Sequence, residues 1–428
     1  MRKTFLGLWF FMHVGCASDQ AASEVRPDKP DLLQESSSID ASMIDLGDMK
    51  IEQPDLNGPM ALTCTIETRD VGEGHAPVLL ASNRAYMLAM NGQNGGFASI
   101  DKRGKTISFK SFPKVIDPCP VAPRTCIGPF SVHHGAAASD GFLFSMVTGA
   151  VADIVIKVSD LGMVYLAKPG NGYTFTFGGA VFTDDGTYAI SPTGPMMPAL
   201  WNVWTRARDV FSRIEGITYD RWEQGRIGVF DALNAAHAEN IVAFGSAIRE
   251  NQANQPLIAL ADVAGKTSIE VQLTYQGCVP IMGNRVPDSR VRRVFNQNGM
   301  FYVLWQEGPS NNVHSCHEMT KMGRDGAIKN TETIADPFVR DLAQIKNGFM
   351  GVLYEYVQQR THRIGFTLFD ADMKPVHDLL EDDLMARGFS EAAIVNSDMP
   401  TISCIDPRHC AAAWDGATRV YLATYACD

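Results

Sequence analysis

The chain has 428 residues, 45% of them hydrophobic and 20% charged, with 48 acidic against 37 basic side chains and a net charge of −11. That length is enough to bury a large core, and the acidic balance argues against a phosphate-rich partner such as nucleic acid. No stretch reaches the roughly 20 apolar residues that a membrane-spanning helix needs.

The chain begins with Arg2 and Lys3, followed by an apolar run over 5–14 broken only by His13. A short cationic segment ahead of an apolar run of this length reads as a secretory signal peptide, here 1–15, and stands outside the fold. The residues His13, Val14, Gly15 and Cys16 that close it resemble a bacterial lipobox, with His13 where a leucine-like residue is usual. The resemblance implies that Cys16 is acylated and becomes the lipid anchor. Ala17, Ser18 and Asp19 resemble the start of outer-membrane lipoproteins, so the expected location is the cell envelope or cell surface. The alternative is ordinary cleavage after Ala17 or Ala22.

Residues 17–58 contain no Phe, Tyr or Trp and carry ten acids against Arg26, Lys29 and Lys50. Such a composition buries too little apolar surface to offset the entropy of ordering. It predicts a flexible acidic tether over 16–58, a stalk of the kind lipoproteins place between lipid and domain. The remainder, 59–428, is then only mildly acidic.

That remainder repeats. SDGFLFSMV from Ser139, DDGTYAIS from Asp184, QNGMFYVLW from Gln297 and KNGFMGVLY from Lys346 each join a turn pair to an alternating apolar run. Asp-Gly and Asn-Gly readily take the positive φ of tight hairpins. Weaker versions start at Ser82, Ala238 and Pro407. After each hairpin comes a strand that ends in an acidic or glycine-containing turn, as at Asp101, Asp160, Asp262, Asp325 and Asp372. Seven hairpins over 59–428 give a period of about 53 residues, the spacing of four-stranded propeller blades. The expected fold is all-β: a seven-bladed β-propeller of four-stranded blades, closed by pairing of the N-terminal strand MALTCTIETRD with the C-terminal strand RVYLATYAC. WD40 and kelch signatures are missing. Two stacked β-sandwiches are the competing architecture.

Nine cysteines leave eight once Cys16 is set aside, which suggests up to four disulfides in an exported chain. The topology pairs Cys64 with Cys427 across the first and last strands, and Cys404 with Cys410 across a three-residue turn. Cys119 and Cys126 share one proline-rich connection, and Cys278 with Cys316 remains.

Chemistry is harder to find. GxSxG, GxxxxGK[ST], GxGxxG and HExxH are missing, so no nucleophile, phosphate-loop or zinc motif supports an enzyme. His314 and His317 lie three apart, which in a strand places them on opposite faces. His133 and His134 read as structural histidines of an inner strand. FTDDGTYAIS and ASDGFLFSM slightly resemble the Asp-box of sialidase-like propellers, without its opening Ser and closing Trp. No metal or cofactor is implied.

Binding residues are expected on the long loops, since loops on a rigid scaffold commonly carry function; SAIRENQANQP and QEGPSNNVHS are among them. Arg285, Arg290, Arg292 and Arg293 are candidates for a cationic rim, and Trp201 and Trp204 for an aromatic platform. The sequence therefore points to a non-catalytic, tethered binding or scaffolding propeller, monomeric, with a protein or glycan ligand and contact with the membrane through its anchor alone. In layout it is similar to propeller lipoproteins that assist outer-membrane assembly. A glycan-active hydrolase or lyase is the other reading, and two buried carboxylates about 5–9 Å apart would favour it.

Overall fold

The computed structural model describes residues 64–112 and, with interruptions, 130–427. The signal peptide, Cys16, the acidic tether, Arg285 and the Cys119 and Cys126 pair lie outside the described residues. Within them the chain is all-β. It opens with β1 (Cys64–Glu73) and continues into a meander of β2 (His75–Ala81), β3 (Tyr86–Asn91), β4 (Gly96–Ile100) and β5 (Thr106–Ser111). Next come β6 (Phe130–Ala138), β7 (Gly141–Thr148), β8 (Asp153–Val158), β9 (Val164–Pro169), β10 (Gly179–Thr183), β11 (Gly186–Pro192), β12 (Leu200–Ala207) and β13 (Val210–Asp220). Three further meanders are β14 (Ala235–Ala238) to β17 (Thr267–Gln272), β18 (Ser289–Gln297) to β21 (Ile328–Thr333), and β22 (Val339–Ile345) to β25 (Leu380–Asp383). Their middle strands are β15 (Ile241–Glu250), β16 (Ala253–Asp262), β19 (Met300–Glu307), β20 (Cys316–Met322), β23 (Gly348–Val357) and β24 (Thr361–Asp370). The last three strands are β26 (Thr401–Asp406), β27 (His409–Asp415) and β28 (Arg419–Cys427).

These strands make six sheets, so the expectation of seven separate blades is corrected. Five sheets have four strands, and the sixth has eight, in the order β10-β11-β12-β13-β9-β8-β7-β6. The cause is an edge contact. The outermost strands β9 and β13 run parallel and pair Lys168 with Val210 and Pro169 with Phe211, which joins two meanders into one sheet. Outer strands carry unpaired backbone groups, and each is the other's nearest partner.

The first strand of each meander packs on the first strand of the next: β2 on β6, β6 on β10, β10 on β14, β14 on β18, β18 on β22, β22 on β26, and β26 on β2. This succession of inner strands is the propeller arrangement, and it rules out two sandwiches. The β2–β5 sheet buries both faces. On β3, Met87 and Ala89 join one core with Phe97, Phe142 and Phe144, while Tyr86, Leu88 and Met90 join another with Val420 and Leu422. Middle strands therefore read as continuous apolar runs; all six residues of β3 are buried.

Turn chemistry explains the repeat. Asn298 and Gly299 both have positive φ, at 54° and 76°, and join β18 to β19 in the manner of a type I′ turn. The acids at the following turns are turn-formers. Asp101 Oδ1 accepts the backbone N–H groups of Arg103 and Lys105, Asp262 those of Ala264 and Gly265, and Asp370 those of Asp372 and Lys374. These carboxylates are spent locally.

The final sheet uses both ends of the described chain, in the order β1-β28-β27-β26. Cys64 lies opposite Cys427 in its register, and the two are bonded. Cys404 is bonded to Cys410 across the β26–β27 turn. These are two of the expected pairs. Cys316 is also disulfide-bonded; its expected partner, Cys278, lies outside the described residues. From β1 the chain passes into β2 through Gly74, where a Cβ would meet Met90 Cβ at 3.0 Å and the Asn91 carbonyl at 3.1 Å.

One sequence-expected loop is a strand pair instead. SAIRENQANQP continues β15 and β16 in an unbroken ladder from Ser246 opposite Leu257 to Glu250 opposite Ala253. Its polar residues obscure what is a long hairpin.

Candidate functional site

The inner strands surround a central cavity of about 290 Å³. Its wall includes Gly135, Ala136, Ala235, Ala343 and Ser403, small residues that bring backbone close to the opening. Arg293 also lines it, but its charge is already engaged. Its Nε donates to Asp341 Oδ1 at 2.7 Å, and its Nη2 donates both to Asp341 Oδ2 and to the Ile402 carbonyl at 2.6 Å. Asp341 Oδ2 in turn accepts the Ile402 N–H at 3.0 Å. The pair thus grips both sides of one peptide residue and ties β18, β22 and β26 together. Arg293 and Asp341 are only 6% and 1% exposed. Arg293 is therefore not part of an open cationic rim; burial and a bidentate partner make it a clamp.

Asn91 performs the same task with one side chain. Its Oδ1 accepts the Val132 N–H at 2.6 Å, and its Nδ2 donates to the Val132 carbonyl at 3.2 Å and to that of Ala76. An amide on β3 holds β6 much as the ion pair holds β26.

Polar groups gather at one end of the β18–β21 sheet, where β18 starts, β19 ends and β20 starts. Ser289, Gln306, Glu307, His317 and Glu318 are all buried there. Cross-strand pairing sorts them into two faces. Ser289, Glu307 and Cys316 lie in one row, and Arg290, Gln306 and His317 in the next; successive residues of a strand point to opposite faces.

On the first face, donor atoms of Glu307, Glu318 and Cys316 lie within 4.8 Å of one another. Cys316 is in a disulfide, so its sulfur is no thiolate ligand, and two carboxyls remain. Glu307 accepts the Gln276 N–H, and Glu318 Oε1 accepts the Thr333 hydroxyl at 3.0 Å. Glu318 Oε2 is buried without a hydrogen bond. Burial, and after it the neighbouring Glu307, push the Glu318 carboxyl up to about 7, against the pull of the Thr333 hydroxyl. Near neutral pH the Glu318 carboxyl is therefore about half protonated.

On the second face, His317 is 2% exposed and its Nε2 has no hydrogen bond. Burial holds its pKa well below the ordinary value, and Arg292, Arg340 and Arg290 act in the same direction. The imidazole is neutral, beneath three guanidiniums that are each half-buried. Arg292 and Arg340 occupy equivalent places: the ladders of β18 and β22 each skip one residue there, between Val291 and Arg293 and between Val339 and Asp341. A bulge of this kind re-aims a side chain.

Of the sequence candidates, Arg290 and Arg293 lie opposite Gln306 and Leu304 on this face, with Arg293 committed to Asp341; Arg292 falls in the bulge between them, and Arg285 lies outside the described residues. Trp201 and Trp204 sit on β12, opposite Tyr219 and Arg213 in the ladder. His133 and His134 lie on β6, where the ladder skips between Val132 and His134. Glu307, Glu318, Arg340 and Asp341 were not apparent from sequence. A signal for two of them exists: Arg292-Arg293 and Arg340-Asp341 follow a valine at the same point of consecutive repeats, and aligning the repeats sets Arg293 against Asp341.

No family model matches the chain, and no curated protein does. Among solved structures, an enzyme of glycoside hydrolase family 74 from Niastella koreensis aligns at 10% identity and a TM-score of 0.49, over 84% of this chain and 53% of that one. Hydrazine synthase of Kuenenia stuttgartiensis aligns at 11% identity and 0.46, over 81% and 94%. The WD40 domain of SCAP from fission yeast aligns at 10% identity and 0.38, over 84% and 98%.

Proposed function

We propose that this protein is an extracytoplasmic binding or scaffolding propeller, held at a membrane by acylated Cys16 and an acidic stalk, that takes its ligand at the end of the β18–β21 sheet. The observation that carries the reading is the gathering of buried polar side chains at that end, flanked by half-exposed Arg290, Arg292 and Arg340. Among the described residues, the buried Arg293–Asp341 pair and Asn91 are committed to backbone and the turn acids are occupied by backbone, whereas at this end Glu318 Oε2 and His317 Nε2 have no hydrogen bond. The two described disulfides fit an oxidising compartment. Affinity capture from detergent-solubilised membranes with the full-length chain as bait tests it. A partner retained reproducibly above an unrelated propeller bait supports the reading; retention of nothing overturns it.

A second reading has its own observation. Glu307 and Glu318 are two carboxyls with oxygens within 4.8 Å, one of them poised near neutrality. A retaining glycosidase needs an acid and a nucleophile about 5 Å apart. Both residues here stand on one hairpin and are 0% exposed, which suits a structural pair inside the fold better than a cleft around a sugar. Release of reducing sugar from envelope glycans, lost in both Glu307→Gln and Glu318→Gln, would establish the hydrolase instead.

A further inference from the structure

We propose that Arg290, Arg292 and Arg340, together with the Nε2 edge of His317, form a receptor for an oxyanion group (phosphate, sulfate or carboxylate) carried by the ligand. The inference rests on the binding reading above and specifies its chemistry.

Three observations converge. The ladder places Arg290, Gln306 and His317 in one cross-strand row. Arg292 and Arg340 sit at bulges on neighbouring first strands, β18 and β22, and their charges act on the same imidazole. The imidazole offers a buried nitrogen that nothing among the described residues satisfies. An orphaned buried polar atom costs free energy unless some partner repays it, and in the tautomer that carries its proton on Nε2 the neutral imidazole is a donor suited to an oxyanion.

The electrostatics agree. Asp341, the acid adjacent to Arg340 in sequence, is committed to Arg293. Glu307 and Glu318 lie on the opposite face of the β19–β20 pair. Arg340 also donates from Nε to the Tyr354 carbonyl at 3.3 Å, which fixes its fork, and Arg290 and Arg292 have interactions of their own. Forked guanidinium donors suit oxyanion geometry. Keeping His317 neutral avoids adding a buried cation to three half-buried ones, while its proton remains available for hydrogen bonding.

The test is calorimetric titration of the full-length protein in detergent with inorganic phosphate, sulfate and acetate, against chloride at matched ionic strength. Saturable binding of at least one oxyanion is expected, weakened about tenfold or more in Arg290→Gln/Arg292→Gln/Arg340→Gln. Should the triple variant not fold, Arg290→Gln and Arg340→Gln are measured singly, and each must weaken binding. In the wild type, the ring nitrogen resonances of ¹⁵N-labelled His317 must shift along the same isotherm. No saturable binding, equal binding by the folded variants, or a stationary His317 signal overturns the proposal. Membrane capture with wild-type and triple-variant baits separates the two claims. A partner held equally by both sinks the oxyanion receptor and leaves the binding reading standing, whereas retention by neither bait sinks that reading.

Discussion

Arg293 and Asp341, 48 residues apart in sequence, close on the two sides of the Ile402 peptide and make three neighbouring strands one unit. Removing one partner leaves a buried charge without compensation. Asp341→Ala is expected to cost about 3–5 kcal/mol, read as a fall in urea midpoint. Arg293→Met/Asp341→Leu, which removes both charges, should be markedly less harmful. A double variant as damaged as the single one would mean that the peptide contacts to Ile402, rather than the charges, carry the clamp.

Asn91→Ala removes both hydrogen bonds to Val132 and leaves that peptide unsatisfied. The expected loss is about 1–3 kcal/mol, with faster amide exchange at Val132 than elsewhere on β6. Unchanged exchange at Val132 would show that the amide does not hold this seam.

The Cys64–Cys427 bond spans 363 residues of sequence. In the chain-entropy picture such a loop stabilises by roughly 5 kcal/mol, the top of the usual range. Cys64→Ser/Cys427→Ser should therefore lower the melting temperature far more than Cys404→Ser/Cys410→Ser, whose loop is six residues. Similar losses from the two pairs would place the stabilisation in local packing.

Glu318 makes stability depend on pH in an unusual direction for an acid. Its folded pKa of about 7 lies above its ordinary 4.5, so the folded state holds more protons between those values. Its contribution is fully present below about 4.5 and is lost as pH rises through about 7. Glu318→Gln should flatten this slope and raise stability at pH 8 by roughly 1–3 kcal/mol, measured as the wild-type-minus-variant difference in unfolding free energy from pH 4 to 8. His317 works in the opposite sense: its depressed pKa costs stability as pH falls below the imidazole range, and the subtraction removes it. A pH-independent difference would refute the raised pKa of Glu318.

Acylation at Cys16 has a direct readout. Full-length protein should partition into a detergent phase, and Cys16→Ser into the aqueous phase. Aqueous partitioning of both would leave ordinary cleavage after Ala17 or Ala22 as the explanation.

What could be read from sequence was local. Asn298-Gly299 announces its hairpin because only a few residues take positive φ at low cost, and the turn acids recur because each must bind successive backbone N–H groups. Cys64 and Cys427 could be paired once the first strand was placed beside the last. What escaped depends on distant neighbours. Arg293 reads as a solvated charge until its acid, a whole repeat away, is known. The β9–β13 bridge rests on two backbone pairs and imposes no residue type, so two meanders gave no hint that they would merge. His317 reads only as one of two histidines on opposite faces of a strand, because sequence does not reveal which cations surround a side chain.

The sheet built from β1 and β28 sets an order of events. Any N-terminus-first export brings out Cys64 long before Cys427, and the opening strand must wait, thiol unclaimed, while the rest of the chain emerges. Oxidation of that thiol with a nearer cysteine would trap the molecule open. The arrangement therefore calls for late bond formation or an isomerase, and makes the final nine-residue strand the step that commits the molecule.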